Sequence, residues 1–203
     1  MKKIISTAVV VVALLIVGGV IYIYSGSYSV AATSKDSPLV SWILRTTRES
    51  SVETRAANVK PPAGLSLSDP EEVKLGFKHY NEMCKGCHGA PGVKPAEVHD
   101  GLNPEPPDLS KVAKKASADE LFWVVKHGLK MTGMPAWGPT HSDDKLWAVV
   151  AFVKKLPEIT PEKYHQMQQQ LAENGEMENE NAHREAQQNP AAHTANNDNK
   201  ADK

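Results

Sequence analysis

The sequence predicts an all-α domain behind an N-terminal membrane helix. An uncharged run from Ile4 to Tyr24 is long enough to span a bilayer. Later segments repeat apolar residues at helical spacing, and none alternates as a strand does. Composition also shifts twice along the 203 residues, from apolar to mixed to polar, which places one folded domain between an anchor and a tail. The expected divisions are an anchor over 1–35, a connector over 36–67, a domain over 68–160 and a polar, disordered tail over 161–203.

The anchor is rich in Val, Ile, Leu and Ala and follows Lys2 and Lys3. Those two cations stay on the cytoplasmic side, which sends the rest of the chain outward. Tyr22, Tyr24 and Tyr28 fit an aromatic belt at the outer interface. A cleaved signal peptide is the alternative, with Val30-Ala31-Ala32 as its small-residue site, but its apolar core is normally shorter than this one. The connector is locally apolar at Leu39, Val40, Trp42, Ile43 and Leu44, with Arg45, Arg48 and Glu49 following. A short amphipathic helix on the membrane surface and packing against the domain or a partner subunit both remain open. Lys60-Pro61-Pro62-Ala63-Gly64 breaks the helical period and reads as a hinge.

In the domain, Ser68-Asp69-Pro70-Glu71-Glu72 combines a cap, an early proline and acids in the first turn. The helix it starts is expected to run to about Met83, with Val73, Gly76, Phe77 and Tyr80 on one face. Glycine is costly in a helix interior, so Gly76 predicts a close helix approach. A further helix covers Ala118 to His127 and is closed by Gly128. Another begins near Ser142-Asp143-Asp144, carries Leu146, Trp147, Val149, Val150, Phe152 and Val153, and stops at Pro157. Its Lys154 and Lys155 match the negative end of the helix dipole. After Leu171 few large apolar residues remain, and such a composition does not offset its ordering entropy. A frayed helix over Pro161 to Glu173 is compatible with that tail, and the spacing of His165, His183 and His193 is irregular for a metal site.

The net charge of −1 and the lack of a basic stripe exclude a nucleic-acid partner. The only cysteines form Cys84-Lys85-Gly86-Cys87-His88. A structural zinc site needs more ligands than this pair supplies, and a thioredoxin-like motif needs a βαβ context. Two thiols one helical turn apart, followed at once by histidine, read as covalent haem attachment, with His88 as the proximal iron ligand. A sixth ligand is expected in Lys130 to Gly138, where Met134 lies between Gly133 and Pro135 and Met131 is its competitor. His79, His99 and His127 read as surface, solvated or hydrogen-bonded residues, and Trp123, Trp137 and Trp147 as pocket packing.

A helix, the Cys84–His88 motif, a Pro-rich loop, Gly133-Met134-Pro135 and a C-terminal aromatic helix together resemble the class I cytochrome c family over about residues 69–160. Gly89-Ala90-Pro91-Gly92-Val93, Pro106 to Leu109 and Lys130 to Gly138 are similar to signatures of bacterial membrane-anchored monohaem cytochromes. The resemblance implies the cytochrome c fold and one covalent haem c. It implies Met134 as the distal ligand and Pro107 as acceptor of the His88 Nδ1–H. It pairs Gly76 and Tyr80 with a last helix facing them through Val149 and Phe152. The expected function is one-electron transfer rather than catalysis, with membrane-bound dehydrogenases, oxidases or other cytochromes as partners. A cytochrome subunit of a membrane-bound complex, and a haem enzyme or sensor with a labile Met134, are the alternatives.

Overall fold

The computed structural model describes residues 1–188, with side chains described through Glu173. The chain divides into two compact units between Thr46 and Thr47. In the first, α1 (Lys2–Tyr24) has no buried residue and is, among the described residues, the one helix long and apolar enough to cross a membrane. Beyond it, the Tyr28 hydroxyl donates to Asp36 Oδ1 at 2.6 Å. α2 (Pro38–Ala56) starts in this unit and ends in the second. It is longer than the short connector helix expected, because no glycine or proline interrupts the chain between Pro38 and Pro61.

The second unit holds α3 (Pro70–Met83), α4 (Lys85–His88), α5 (Leu109–Val112), α6 (Ala118–His127), α7 (Asp143–Lys155) and α8 (Pro161–Gln188), with 3₁₀ turns at Glu97–Gly101 and Leu156–Glu158. Among the described residues there is no strand beyond an isolated bridge between Ala90 and Val93. Local chemistry sets the helix ends. Asp69 accepts from the Glu71 N–H at 2.9 Å ahead of Pro70. Ser117 and Glu120 cap α6 reciprocally, each side chain bonded to the other's backbone N–H.

The core forms where α3 crosses α7, the most extensive helix pairing in the domain. A Cβ on Gly76 would overlap the Ala148 carbonyl and stand 2.9 Å from Phe152 Cβ, so only glycine permits this crossing. Ala148 and Phe152 are thus the α7 residues nearest Gly76, and Val149 is buried in the same helix. Around the crossing, the Phe152 ring lies 5.3 Å from that of Phe77 and 5.1 Å from that of Tyr80. Trp147 stacks on Phe122 at 4.1 Å, joining α6 to the same core. Lys154 stands in the last turn of α7, as expected, and also serves a second helix end. Its ammonium donates to Ala113 O and Ala116 O at 2.7 and 3.1 Å, closing the carbonyl end beyond α5.

The segments on either side of the expected domain pack against it. Val59, Leu65 and Leu67 pack against the core and Lys60 lies 3.5 Å from Asp119, so the segment around Pro61 and Pro62 is held to the domain. At the other end, the helix expected over Pro161 to Glu173 in a polar tail is present and runs on in α8 through Gln188. Tyr164 is fully buried there, its ring 5.4 Å from Phe77 and its hydroxyl donating to Asn81 Oδ1 at 3.0 Å. Met167 and Leu171 follow at helical spacing and pack on the same core, which anchors the start of the helix. His183 lies among the residues whose side chains are not described, and His193 outside the described residues. Tyr164→Ala is therefore expected to destabilise the domain by about 3 kcal/mol in denaturant unfolding, as removal of a buried aromatic ring does. A true tail position would leave the midpoint unchanged.

Candidate functional site

The cysteine–histidine motif sits at the end of α3. Cys84 N–H donates to Tyr80 O at 2.9 Å, and the Cys87 and His88 N–H groups both donate to Cys84 O, at 3.1 and 2.9 Å. The thiols therefore lie one turn apart and are free of a disulfide, Cys84 buried and Cys87 half-buried. Burial, reinforced by the neighbouring Cys87, pushes the Cys84 thiol up to about 12, which keeps it protonated.

Neighbouring segments satisfy the remaining carbonyls of this turn. Gly86 O accepts from the Ala96 N–H at 2.8 Å, and Gly89 O accepts from the buried Tyr80 hydroxyl at 2.7 Å. His99 Nδ1 stands 2.7 Å from Cys87 O. His88 Nδ1 lies 2.8 Å from Pro107 O, a pairing across nineteen residues. That acceptor requires the proton on Nδ1 and leaves the Nε2 lone pair available. Burial lowers the His88 pKa from 6.5, opposed by the bond to Pro107, and so favours the neutral imidazole that a metal needs.

Met134 is on a separate loop. Its N–H donates to Thr132 Oγ1 at 3.1 Å, the Thr132 hydroxyl donates to Leu129 O at 2.8 Å, and the Leu129 N–H donates to Met134 O at 3.2 Å. This small ring is docked on the end of α6. A Cβ on Gly128 would stand 2.8 Å from Met134 O and 2.7 Å from Ala136 N, at a φ of +64° that also favours glycine. The Trp137 and Gly138 N–H groups donate to Val125 O and Lys126 O, at 3.1 and 2.9 Å. Met134 is half-buried against the core, whereas Met131 is 80% exposed.

Residues 71–153, from α3 into α7, match the family described as cytochrome c oxidase, cbb3-type, subunit III. Over those residues the match supports a class I c-type cytochrome domain. No curated protein matches the chain significantly. The cytochrome domain carries electrons, and its cofactor is haem c, bound covalently. The residues fit that group: two thiols without a disulfide lie a turn apart, and the adjacent imidazole is tied through Nδ1 and disposed to neutrality.

Of the other histidines, His79 is hydrogen-bonded as expected, and His99 differs. His79 is buried, with Nδ1 3.3 Å from Glu82 Oε2 and Nε2 without a partner among the described residues. His99, expected to be solvated, has a side chain only 16% exposed and bridges Cys87 O to Glu105 Oε1, the latter at 3.2 Å. Its principal acceptor is a main-chain carbonyl, so no side-chain pattern announces the contact. The bond to Cys87 O and the nearby Glu105 raise the His99 pKa above 6.5. A raised folded-state value means that the stabilisation is complete below the unfolded value and is lost as pH climbs through the raised one. Unfolding midpoints of the parent chain relative to His99→Gln are therefore expected to fall from mildly acid to mildly alkaline pH. A difference that stays constant across that range would remove His99 from the linkage.

Proposed function

We propose that this chain is a membrane-anchored, periplasmic carrier of single electrons, with Cys84 and Cys87 joined to the haem and His88 and Met134 as iron ligands. The observation that carries the ligand assignment is the contrast between the two loop methionines: Met134 is half-buried within a hydrogen-bonded ring, and Met131 points into solvent. Haem held by His88 and Met134 would supply one-electron redox chemistry, and the soft Met134 thioether would favour the ferrous state. The chain's own part is to hold a neutral His88 through Pro107, to fix Met134 through Thr132, and to pack Met134 against the apolar core. α1 supports the anchor, and Lys2 and Lys3 support the periplasmic orientation. A chain so anchored exchanges electrons with membrane-bound dehydrogenases, oxidases or other periplasmic cytochromes.

The resting spectrum of the purified holoprotein tests this reading. A stable low-spin haem with a sulfur-to-iron charge-transfer band, unreactive toward carbon monoxide when reduced, is expected. A high-spin ferric haem that binds peroxide or small gases rapidly would instead support a labile Met134 and an enzyme or sensor. A second reading, a cytochrome subunit of a membrane-bound oxidoreductase complex, is favoured by the oxidase-subunit description of the matched family. Purification in mild detergent separates the two: co-purifying partners in fixed ratio support the subunit, and a solitary chain supports the free carrier.

A further inference from the structure

The apolar face at the start of α2 has no role in the site described above. Leu39, Trp42, Ile43 and Leu44 are exposed, Leu39 by 64% and Trp42 by 55%. At about 100° per residue, Trp42, Leu39, Ile43, Val40 and Leu44 follow one another around one side of the helix, while Ser41, Arg45 and Arg48 take the other. After Thr46 the apolar stripe ends, and the helix continues through Arg48, Glu49, Ser50, Ser51, Glu53 and Arg55.

The place of this face relative to α1 identifies what covers it. Tyr22 at the end of α1, Tyr28, Asp36 and Val40 line a common hollow, and Tyr28 is bonded to Asp36. The first turn of α2 therefore stands beside the tyrosine-rich end of the membrane helix, in the same compact unit. Tyrosine and tryptophan favour the headgroup level of a bilayer, and arginine opposite an apolar stripe can reach lipid phosphates while the stripe enters the acyl boundary.

We infer that residues 38–46 lie on the outer surface of the bilayer, with Leu39, Trp42 and Ile43 inserted among the lipids and Arg45 among the headgroups. The inference rests on the reading of α1 as a retained anchor. Its consequence is that the chain leaves the lipid at about Thr47 instead of at the end of α1.

Full-length holoprotein in nanodiscs of phosphatidylcholine and phosphatidylglycerol tests both readings separately. Carbonate extraction of native membranes reports on α1: a chain that stays in the pellet retains its anchor, and release into the supernatant overturns the anchor and this inference together. Emission from Trp42, taken as the difference between the parent chain and Trp42→Phe, reports on α2. Lipids brominated near the headgroup are expected to quench it more than lipids brominated deep in the acyl chain. Leu39→Glu combined with Ile43→Glu is expected to abolish that quenching while the chain stays in the pellet. Trp42 emission indifferent to brominated lipid in a retained chain overturns the inference. Shielding of Trp42 from aqueous iodide in such a chain would assign the face to a protein partner.

Discussion

Met134→Ala is expected to abolish the low-spin methionine signature and to lower the reduction potential, while Met131→Ala leaves both unchanged. The fall should be on the order of 100 mV or more, within the span of about 0.8 V over which axial ligands set haem potentials. Both methionines sit in one loop three residues apart, so sequence spacing alone does not separate them. Their surroundings do. Met131 has a φ of 58° and an exposed side chain, and truncating it removes little packing. Met134 packs against the core, and its peptide N–H and carbonyl are both tied within the loop, through Thr132 and Leu129. Near-infrared absorption and redox titration of the two variants decide the matter. Loss of the sulfur-to-iron band in Met131→Ala, with its retention in Met134→Ala, would reverse the assignment.

The elements that could be read in advance are those whose cause is local. Asp69 with Pro70, Ser117 with Glu120, and Gly128 are each written within one helical turn, and α3, α6 and α7 begin and end near the expected residues. The Cys84–His88 motif is likewise self-contained. The pairing of His88 with Pro107 spans nineteen residues and was accessible only through family resemblance. Contacts that join a side chain to a distant main-chain carbonyl left no trace: His99 on Cys87 O, and Lys154 on Ala113 O and Ala116 O. Average composition misled at Tyr164. A few apolar residues in a polar stretch hold the beginning of α8, Tyr164 against Phe77 and Phe152 and then Met167 and Leu171 on the same core.

Gly76→Ala should be the most damaging small substitution in the domain, with a net loss of about 2 kcal/mol. In an exposed helix the same change stabilises by about 1 kcal/mol, since alanine has the higher helix propensity. Here the new methyl meets the Ala148 carbonyl, and a backbone atom in a buried helix has no alternative rotamer. Overpacking of this kind costs about 3 kcal/mol, the upper part of its usual range, because α3 and α7 must separate along their whole contact. The remaining deficit corresponds to a fall in Tm of roughly 10 °C for a domain near 100 residues. Gly101→Ala, where a Cβ meets nothing within 4 Å, serves as the control and should change the midpoint little. Ala148→Gly should not rescue Gly76→Ala, because the obstructing atoms belong to the main chain. Rescue would place the conflict in the Ala148 side chain and overturn the account of the crossing. α3 ends at Cys84, so the displacement also reaches the haem attachment turn. The variant should therefore shift the haem absorption or potential along with stability, which a loss confined to the far side of the domain would not do.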